Sequence, residues 1–104
     1  MQLKPMRLFT PAKINTILQI LSKRDDGFHE IFTHMVPISF FDELTLQEHS
    51  MKHFSFRCNL RELEGPENLV WRALKLFEEA SGRTVRLIIH LQKRIPTGGG
   101  LGGG

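Results

Sequence analysis

The stretch TVRLIIHLQKRIPTGGGLGGG, Thr84 to Gly104, runs from β-branched and aliphatic residues through a basic pair into glycine. Its first half reads as a strand, because such side chains suit a half-buried pleated surface. QKRIP then leads off the strand, and six of the nine glycines fall in the seven positions Gly98–Gly104. Glycine lets backbone N–H groups approach an anion closely and takes φ > 0 without steric cost. A strand, a glycine loop and a helix N-terminus in that order make a phosphate cradle. Strand and loop are present, and no helix follows. The run is not a Walker A loop, since no Gly-Lys-Ser/Thr follows, and it is not read as the dinucleotide-binding fingerprint. On spacing alone a flexible tail explains the glycines as well as a cradle does. Against the tail, flexible linkers mix serine with glycine, this run has no serine, and a linker has no use for Ile95, Pro96 and Leu101.

Working back from that stretch, GPENLVWRALKLFEEASG (65–82) reads as the one clear helix. Leu69, Ala73, Leu76 and Ala80 form an apolar stripe, widened by Val70, Leu74 and Phe77. Pro66 suits its first turn, Glu67 the positive end of its dipole, and Gly82 the position just past its C-terminus. Further upstream, TPAKINTILQILSK alternates as a strand. Ala12, Ile14, Thr16, Leu18 and Ile20 share one face, and Lys13, Asn15, Ile17, Gln19 and Leu21 the other. RDDG is a turn with Asp26-Gly27 as its hairpin-type pair. IFTHMVPISF and ELTLQEH read as separate strands with FFDE as a turn between them, and Pro37 marks a strand start, a bulge or an edge. HFSFRC is a strand with Phe54, Phe56 and Cys58 on one face. Strands, one helix, a strand and a glycine loop make an α+β domain.

Composition narrows the function classes. The 104 residues amount to one domain or part of one. The formal charge of +3 favours phosphate-bearing ligands. No basic run exceeds two residues and no aromatic ladder is interleaved with basic residues, so nucleic acid is not the expected partner. No window is long and apolar enough for a membrane span, and the N-terminus lacks the pattern of a signal peptide. The lone Cys58 reads as a buried structural thiol, in keeping with a reducing cytoplasmic location. His49 and His53 have no third ligand at metal-binding spacing, so no metal site is assigned to protein side chains.

Three features carry candidate chemistry. Lys13 and Asn15, two apart on one strand face, suit stabilisation of charge on a transferring phosphoryl group; the plainer explanation is a solvated strand face. Phe28 and His29 after the turn suit stacking on a base and bonding its edge; the plainer explanation is a core ring and a surface imidazole. The third is the glycine run itself.

Taken together and in this order, PAKIN, DGFHE, ENLV and KRIPTGGGLGGG resemble the 4-diphosphocytidyl-2-C-methyl-D-erythritol kinases, a family of the GHMP kinase superfamily in the non-mevalonate route to isoprenoids. The glycine motif points only to the superfamily; the pairing of PAKIN with DGFH singles out the family. The resemblance implies the N-terminal part of a GHMP kinase domain, similar to the second domain of ribosomal protein S5, with a mixed or antiparallel sheet. It implies Lys13 as the catalytic lysine. Asn15, Phe28 and His29 would bind the cytidyl substrate, with Phe28 standing where the family usually has tyrosine. Asn68 and Lys93 would lie near the nucleotide, and Pro96, Thr97, Gly98, Gly99, Gly100, Leu101, Gly102, Gly103 and Gly104 would wrap the ATP phosphates. ATP is the implied phosphoryl donor, accompanied by Mg²⁺, and the acceptor is the substrate's 2-hydroxyl. An aspartate takes the hydroxyl proton in that family, and none of Asp25, Asp26 and Asp42 stands in its position.

On this reading residues 1–104 are an incomplete N-terminal domain with later elements and a C-terminal domain missing. The expectation is then an inactive fragment with an exposed apolar face. The alternatives are another GHMP small-molecule kinase, which DGFHE disfavours, a non-catalytic nucleotide- or phosphate-binding module, and a truncation product. Cytidine diphosphate and ADP, as separate titrants, discriminate among them.

Overall fold

A computed structural model of the chain describes residues 5–103. Strand β1 (Met6–Lys23) and strand β2 (His29–Glu48) form a long antiparallel hairpin. Strand β3 (Ser55–Cys58) leads through a single 3₁₀ turn (Arg61–Leu63) and helix α1 (Leu69–Ser81) to strand β4 (Leu87–Gln92). The sheet order is β1-β2-β4-β3. β4 runs antiparallel to β2 and parallel to β3, so the sheet is mixed. A parallel neighbour requires a crossover, and α1 provides it.

The core lies where α1 covers this sheet. Phe56, Cys58, Ile89 and Leu91 are buried there, with Leu44, Leu46, Phe54, Trp71 and Leu74 packed against them. Period-2 alternation in HFSFRC therefore reads correctly, and the Cys58 thiol is buried at 7% exposure. The helix, however, turns inward only the Val70–Leu74 edge of the expected stripe, joined by Trp71. Leu69, Leu76 and Phe77 are exposed, as are Ala73 and Ala80, while Val70, Trp71 and Leu74 meet the sheet. The indole decides this: Trp71 packs edge-on against Phe54 with ring centroids 5.6 Å apart. One aromatic ring buries more area than two alanines on the opposite stripe.

Two segments differ from the turns expected of them. FFDE is not a turn, since Phe40–Glu43 continue β2, with Phe41, Asp42 and Glu43 paired to β1 and Glu43 also to β4. Nor does Pro66 start the helix. It sits in the preceding turn, closed by the Asn68 N–H on the Gly65 carbonyl at 3.1 Å, while Asn68 caps the helix. The other stops hold. Gly82 adopts φ 68° just past α1, a left-handed conformation glycine takes without penalty. RDDG turns the hairpin with Gly27 at φ 88°; Lys23 pairs with His29, so the loop is longer than a two-residue connection.

Strict alternation along β1 also fails. Register shifts occur between Pro11 and Lys13, Asn15 and Ile17, and Ile20 and Lys23. Each bulge turns the following side chains relative to the earlier ones. Toward the hairpin tip Leu18, Ile20, Leu21, Ile31 and Phe32 are all exposed. Among the described residues no helix is long and apolar enough to cross a membrane.

Candidate functional site

The first bulge builds the site. Pro11 has no N–H, Ala12 is wholly buried, and the ladder skips from Pro11 to Lys13. The Lys13 N–H donates to the Leu101 carbonyl at 2.9 Å. That bond draws the glycine loop onto β1, so the run is folded against the sheet and is not a free tail. A Cβ built on Gly102 would lie 3.1 Å from Lys13 Cγ and 3.6 Å from Lys13 Cε. The lysine side chain therefore rests against the glycine backbone, an approach that only glycine permits.

The loop has a regular backbone signature. Gly98, Gly100 and Gly102 have φ of 70°, 75° and 79°, while Gly99 and Leu101 between them do not have positive φ. Alternation of φ sign is the backbone pattern by which nests turn successive N–H groups toward an anion. The loop also closes on its own base. A Cβ on Gly103 would fall 2.6 Å from Ile95 Cγ2 and 2.7 Å from the Pro96 carbonyl oxygen.

Lys13 donates from Nζ to Asn15 Oδ1 at 2.8 Å. Asn15 Nδ2 in turn donates to Thr33 Oγ1 at 2.8 Å, and that hydroxyl donates to the Ile17 carbonyl at 2.9 Å. The chain of bonds holds the ammonium beside Asn15. An ammonium carries three N–H donors, so it retains capacity for a phosphate oxygen.

Beneath the loop lies a buried ion pair. Lys93 and Asp42 are 7% and 6% exposed, with Nζ 2.6 Å from Oδ2. Asp42 Oδ1 accepts from the N–H groups of Arg94 at 2.6 Å and Ile95 at 2.9 Å. Burial raises the Asp42 pKa; the bond from Lys93, the two backbone N–H groups and the lysine charge outweigh it and hold the carboxyl below its ordinary value. A depressed carboxylate pKa contributes stability that is complete above the unfolded-state value near pH 4 and is lost as pH falls through the folded value. Thermal melts from pH 7 to pH 2 are thus expected to show a loss of stability below about pH 4, and Asp42→Asn is expected to flatten that part of the profile.

Asn68 reaches the same neighbourhood. With Thr10, Asp42, Lys93, Gly102 and Gly103 it lines a cavity of about 200 Å³. Its side chain is already engaged: Oδ1 accepts from the Val70 N–H and Nδ2 donates to the Leu63 carbonyl, both at 2.9 Å. It is the helix cap, and Asn68→Ala is expected to cost about 1 kcal/mol in urea unfolding.

With the glycine loop and the lysine laid against it in place, the chain as a whole matches known proteins. The family described as GHMP kinases N terminal domain matches residues 68–104. A solved structure, "Crystal structure of 4-(cytidine 5'-diphospho)-2C-methyl-D-erythritol kinase", superposes with a TM-score of 0.77 at 38% identity, over 94% of this chain and 35% of that one. The chain has the fold of the N-terminal part of a GHMP kinase. Curated relatives named 4-diphosphocytidyl-2-C-methyl-D-erythritol kinase agree. That of Sulfurihydrogenibium sp. (strain YO3AOP1) is 43% identical over 97 residues, 93% of this chain and 34% of the relative. That of Chlamydia felis (strain Fe/C-56) is 42% identical over 99 residues, 95% of this chain and 33% of the relative. The chain spans about a third of the length of these relatives.

Within this GHMP fold the expected site residues fall into two groups. Lys13, Asn15, Asn68, Lys93 and the loop from Pro96 to Gly103 come together at the bulge, with Lys93 beneath the loop; Gly104 lies outside the described residues. Phe28 and His29 sit at the far tip of the hairpin. Lys13 pairs with Pro37 and Lys23 with His29, so ten residues of β1 separate the groups, up to about 33 Å of extended strand. Phe28 is 74% exposed, and its N–H donates to Asp26 Oδ1 at 3.0 Å, which fixes the turn. The ring is presented to solvent and is not a core residue.

Sequence reasoning missed Asp42, Asn59 and Thr33. Asp42 had a usable signal: Asp42 and Glu43, adjacent between Phe41 and Leu44 in a β-rich stretch, point to opposite faces of a strand, and the one on the inner face is costly unless it has a buried partner. Asn59 and Thr33 had none, because their partners are distant in sequence.

Proposed function

We propose that residues 1–104 form the N-terminal, ligand-binding domain of a 4-diphosphocytidyl-2-C-methyl-D-erythritol kinase of the non-mevalonate isoprenoid route, acting in the cytoplasm. The reaction transfers the γ-phosphoryl of ATP to the 2-hydroxyl of the cytidyl substrate. The observation that carries this reading is Lys13, tied by its backbone to Leu101 and laid along Gly102. The alternating loop cradles the ATP phosphates through its N–H groups, and the Lys13 ammonium neutralises charge on the transferred group. Catalysis of this kind rests on positioning and charge, not on covalent chemistry of the protein.

Mg²⁺ would enter with ATP and supply further neutralisation of phosphate charge. Asp42 is not suited to hold it, since both carboxylate oxygens are already taken by Lys93, Arg94 and Ile95. The same engagement rules Asp42 out as the base for the hydroxyl proton. Asn15, held by Lys13 and Thr33, supports the methylerythritol end of the acceptor, and Phe28 and His29 take the cytosine ring and its edge.

Separate calorimetric titrations with cytidine diphosphate and ADP test the assignment. Stacking on an aromatic ring contributes about 1–3 kcal/mol per base. Phe28→Ala is therefore expected to weaken cytidine diphosphate binding by about tenfold or more, and His29→Ala, through loss of an edge hydrogen bond of about 0.5–1.5 kcal/mol, by about threefold to tenfold, with ADP binding unchanged and stability altered by less than about 0.5 kcal/mol in both. Cytidine diphosphate binding that survives both substitutions contradicts the substrate assignment. ADP binding without any cytidine diphosphate binding favours the second reading, a nucleotide-binding module, which the distance between hairpin tip and loop makes worth testing.

A further inference from the structure

We infer that Asp42 is a positioning residue for the glycine loop, setting from beneath the backbone conformation in which the loop N–H groups face a phosphate. The inference rests on the phosphate-loop reading above and adds to it what holds the loop in shape.

The β2–β4 ladder ends at the pair Glu43–Gln92. One step further the chain must leave the sheet to begin the loop, and the next backbone donors lose their strand partner. A buried N–H without an acceptor is costly. Asp42 resolves this with its side chain. Its backbone remains in β2, where it pairs with Thr10 of β1, while Oδ1 receives the N–H groups of both Arg94 and Ile95. The second oxygen holds Lys93 Nζ, which reaches on to the Ile95 carbonyl at 2.5 Å. From the other side, Asn59 grips the Lys93 backbone in both directions: its Oδ1 accepts from the N–H at 2.6 Å and its Nδ2 donates to the carbonyl at 3.0 Å.

Three consecutive residues, Lys93, Arg94 and Ile95, are thus fixed by side chains from other parts of the fold. Ile95, 2% exposed, is also the residue against which Gly103 closes. Fixing Ile95 therefore fixes both ends of the loop. A loop of glycines loses more conformational entropy on ordering than any other sequence, so a rigid base reduces what the ligand must order when it binds. In this arrangement Lys93 serves the loop from below, and its buried ammonium is already committed to Asp42 and Ile95.

Nitrogen-15 NMR of the full chain tests the inference. In the wild-type protein the Arg94 and Ile95 amides are expected to exchange with solvent as slowly as the β4 ladder; exchange at the rate of the loop tip overturns the proposal, whatever any variant does. In Asp42→Asn, which places an amide donor against the Lys93 ammonium, the free-state resonances of Gly98–Gly103 are expected to collapse toward random-coil positions. The Ile89 and Leu91 resonances of the core stay dispersed, and ADP binds about tenfold more weakly or worse. Wild-type loop shifts and ADP affinity in Asp42→Asn overturn the proposal. If Asp42→Asn does not fold, the double variant Asp42→Asn/Lys93→Met, which removes the buried charge altogether, is read by the same two criteria. Failure of the wild-type protein to bind ADP sinks the phosphate reading alone, because the exchange and free-state measurements need no ligand.

Discussion

Lys93→Met is expected to destabilise the protein by about 3–5 kcal/mol, the usual cost of removing one member of a buried ion pair. Methionine fills much of the lysine stem's volume, so the loss is not a cavity effect. It arises because Asp42, 6% exposed, keeps its charge and loses the partner on Oδ2. The two backbone bonds to Oδ1 remain, but they leave the second oxygen without a counter-charge in a low-dielectric setting. Native stabilities of about 5–15 kcal/mol leave little margin for such a loss. The variant also carries its own signature. Without Lys93 the Asp42 pKa rises, the folded state takes up a proton more readily, and the deficit shrinks as pH is lowered toward 4. Urea unfolding at pH 7 and pH 5 measures both. A loss below about 1 kcal/mol at pH 7, the value of an exposed pair, contradicts the buried-pair description.

Gly103→Ala is the second large effect, and it acts on the loop. The added methyl would sit 2.6 Å from Ile95 Cγ2 and 2.7 Å from the Pro96 carbonyl oxygen. The isoleucine tip can turn aside, but Ile95 is buried and the carbonyl is backbone. The loop must therefore open at its base. Overpacking of this kind costs about 1–3 kcal/mol, and the displaced N–H groups no longer converge. ADP affinity is expected to fall by about tenfold or more, since tenfold corresponds to about 1.4 kcal/mol. Gly99→Ala is the control: its Cβ would meet nothing closer than 3.8 Å, and its φ is not positive. Equal ADP affinities in the two variants contradict the closed loop.

The sequence made some elements legible and hid others for identifiable reasons. HFSFRC and TVRLIIHL show one buried face each, and both strands appear where expected. Helix α1 was clear, with its stop at Gly82, because propensity and the left-handed cap act locally. Its inward face was not, because counting apolar positions gives Trp71 the same weight as Ala73. The long hairpin misled for a different reason. Apolar residues occupy both faces near its tip, so alternation cannot say which face is inside, and FFDE looked like a break when it carries a buried acid. Of the site, Lys13 and the glycines stood out as residue types, yet what joins them is a bulge at Ala12 and a backbone bond to Leu101. Neither leaves a mark on residue identity. Asp42 and Asn59 act on positions 51 to 53 and 34 residues away, beyond the reach of any local pattern.

The proposed function requires the glycines and Lys13 to form a phosphate cradle. Titration of the nitrogen-15-labelled protein with ADP, and in parallel with adenosine, tests it most directly. Shift changes concentrated at Gly98–Gly103 and at the Lys13 amide, saturating with ADP and absent with adenosine, are the predicted result. Loop glycines that stay at random-coil positions and do not respond to ADP, or a response centred elsewhere in the fold, would contradict it.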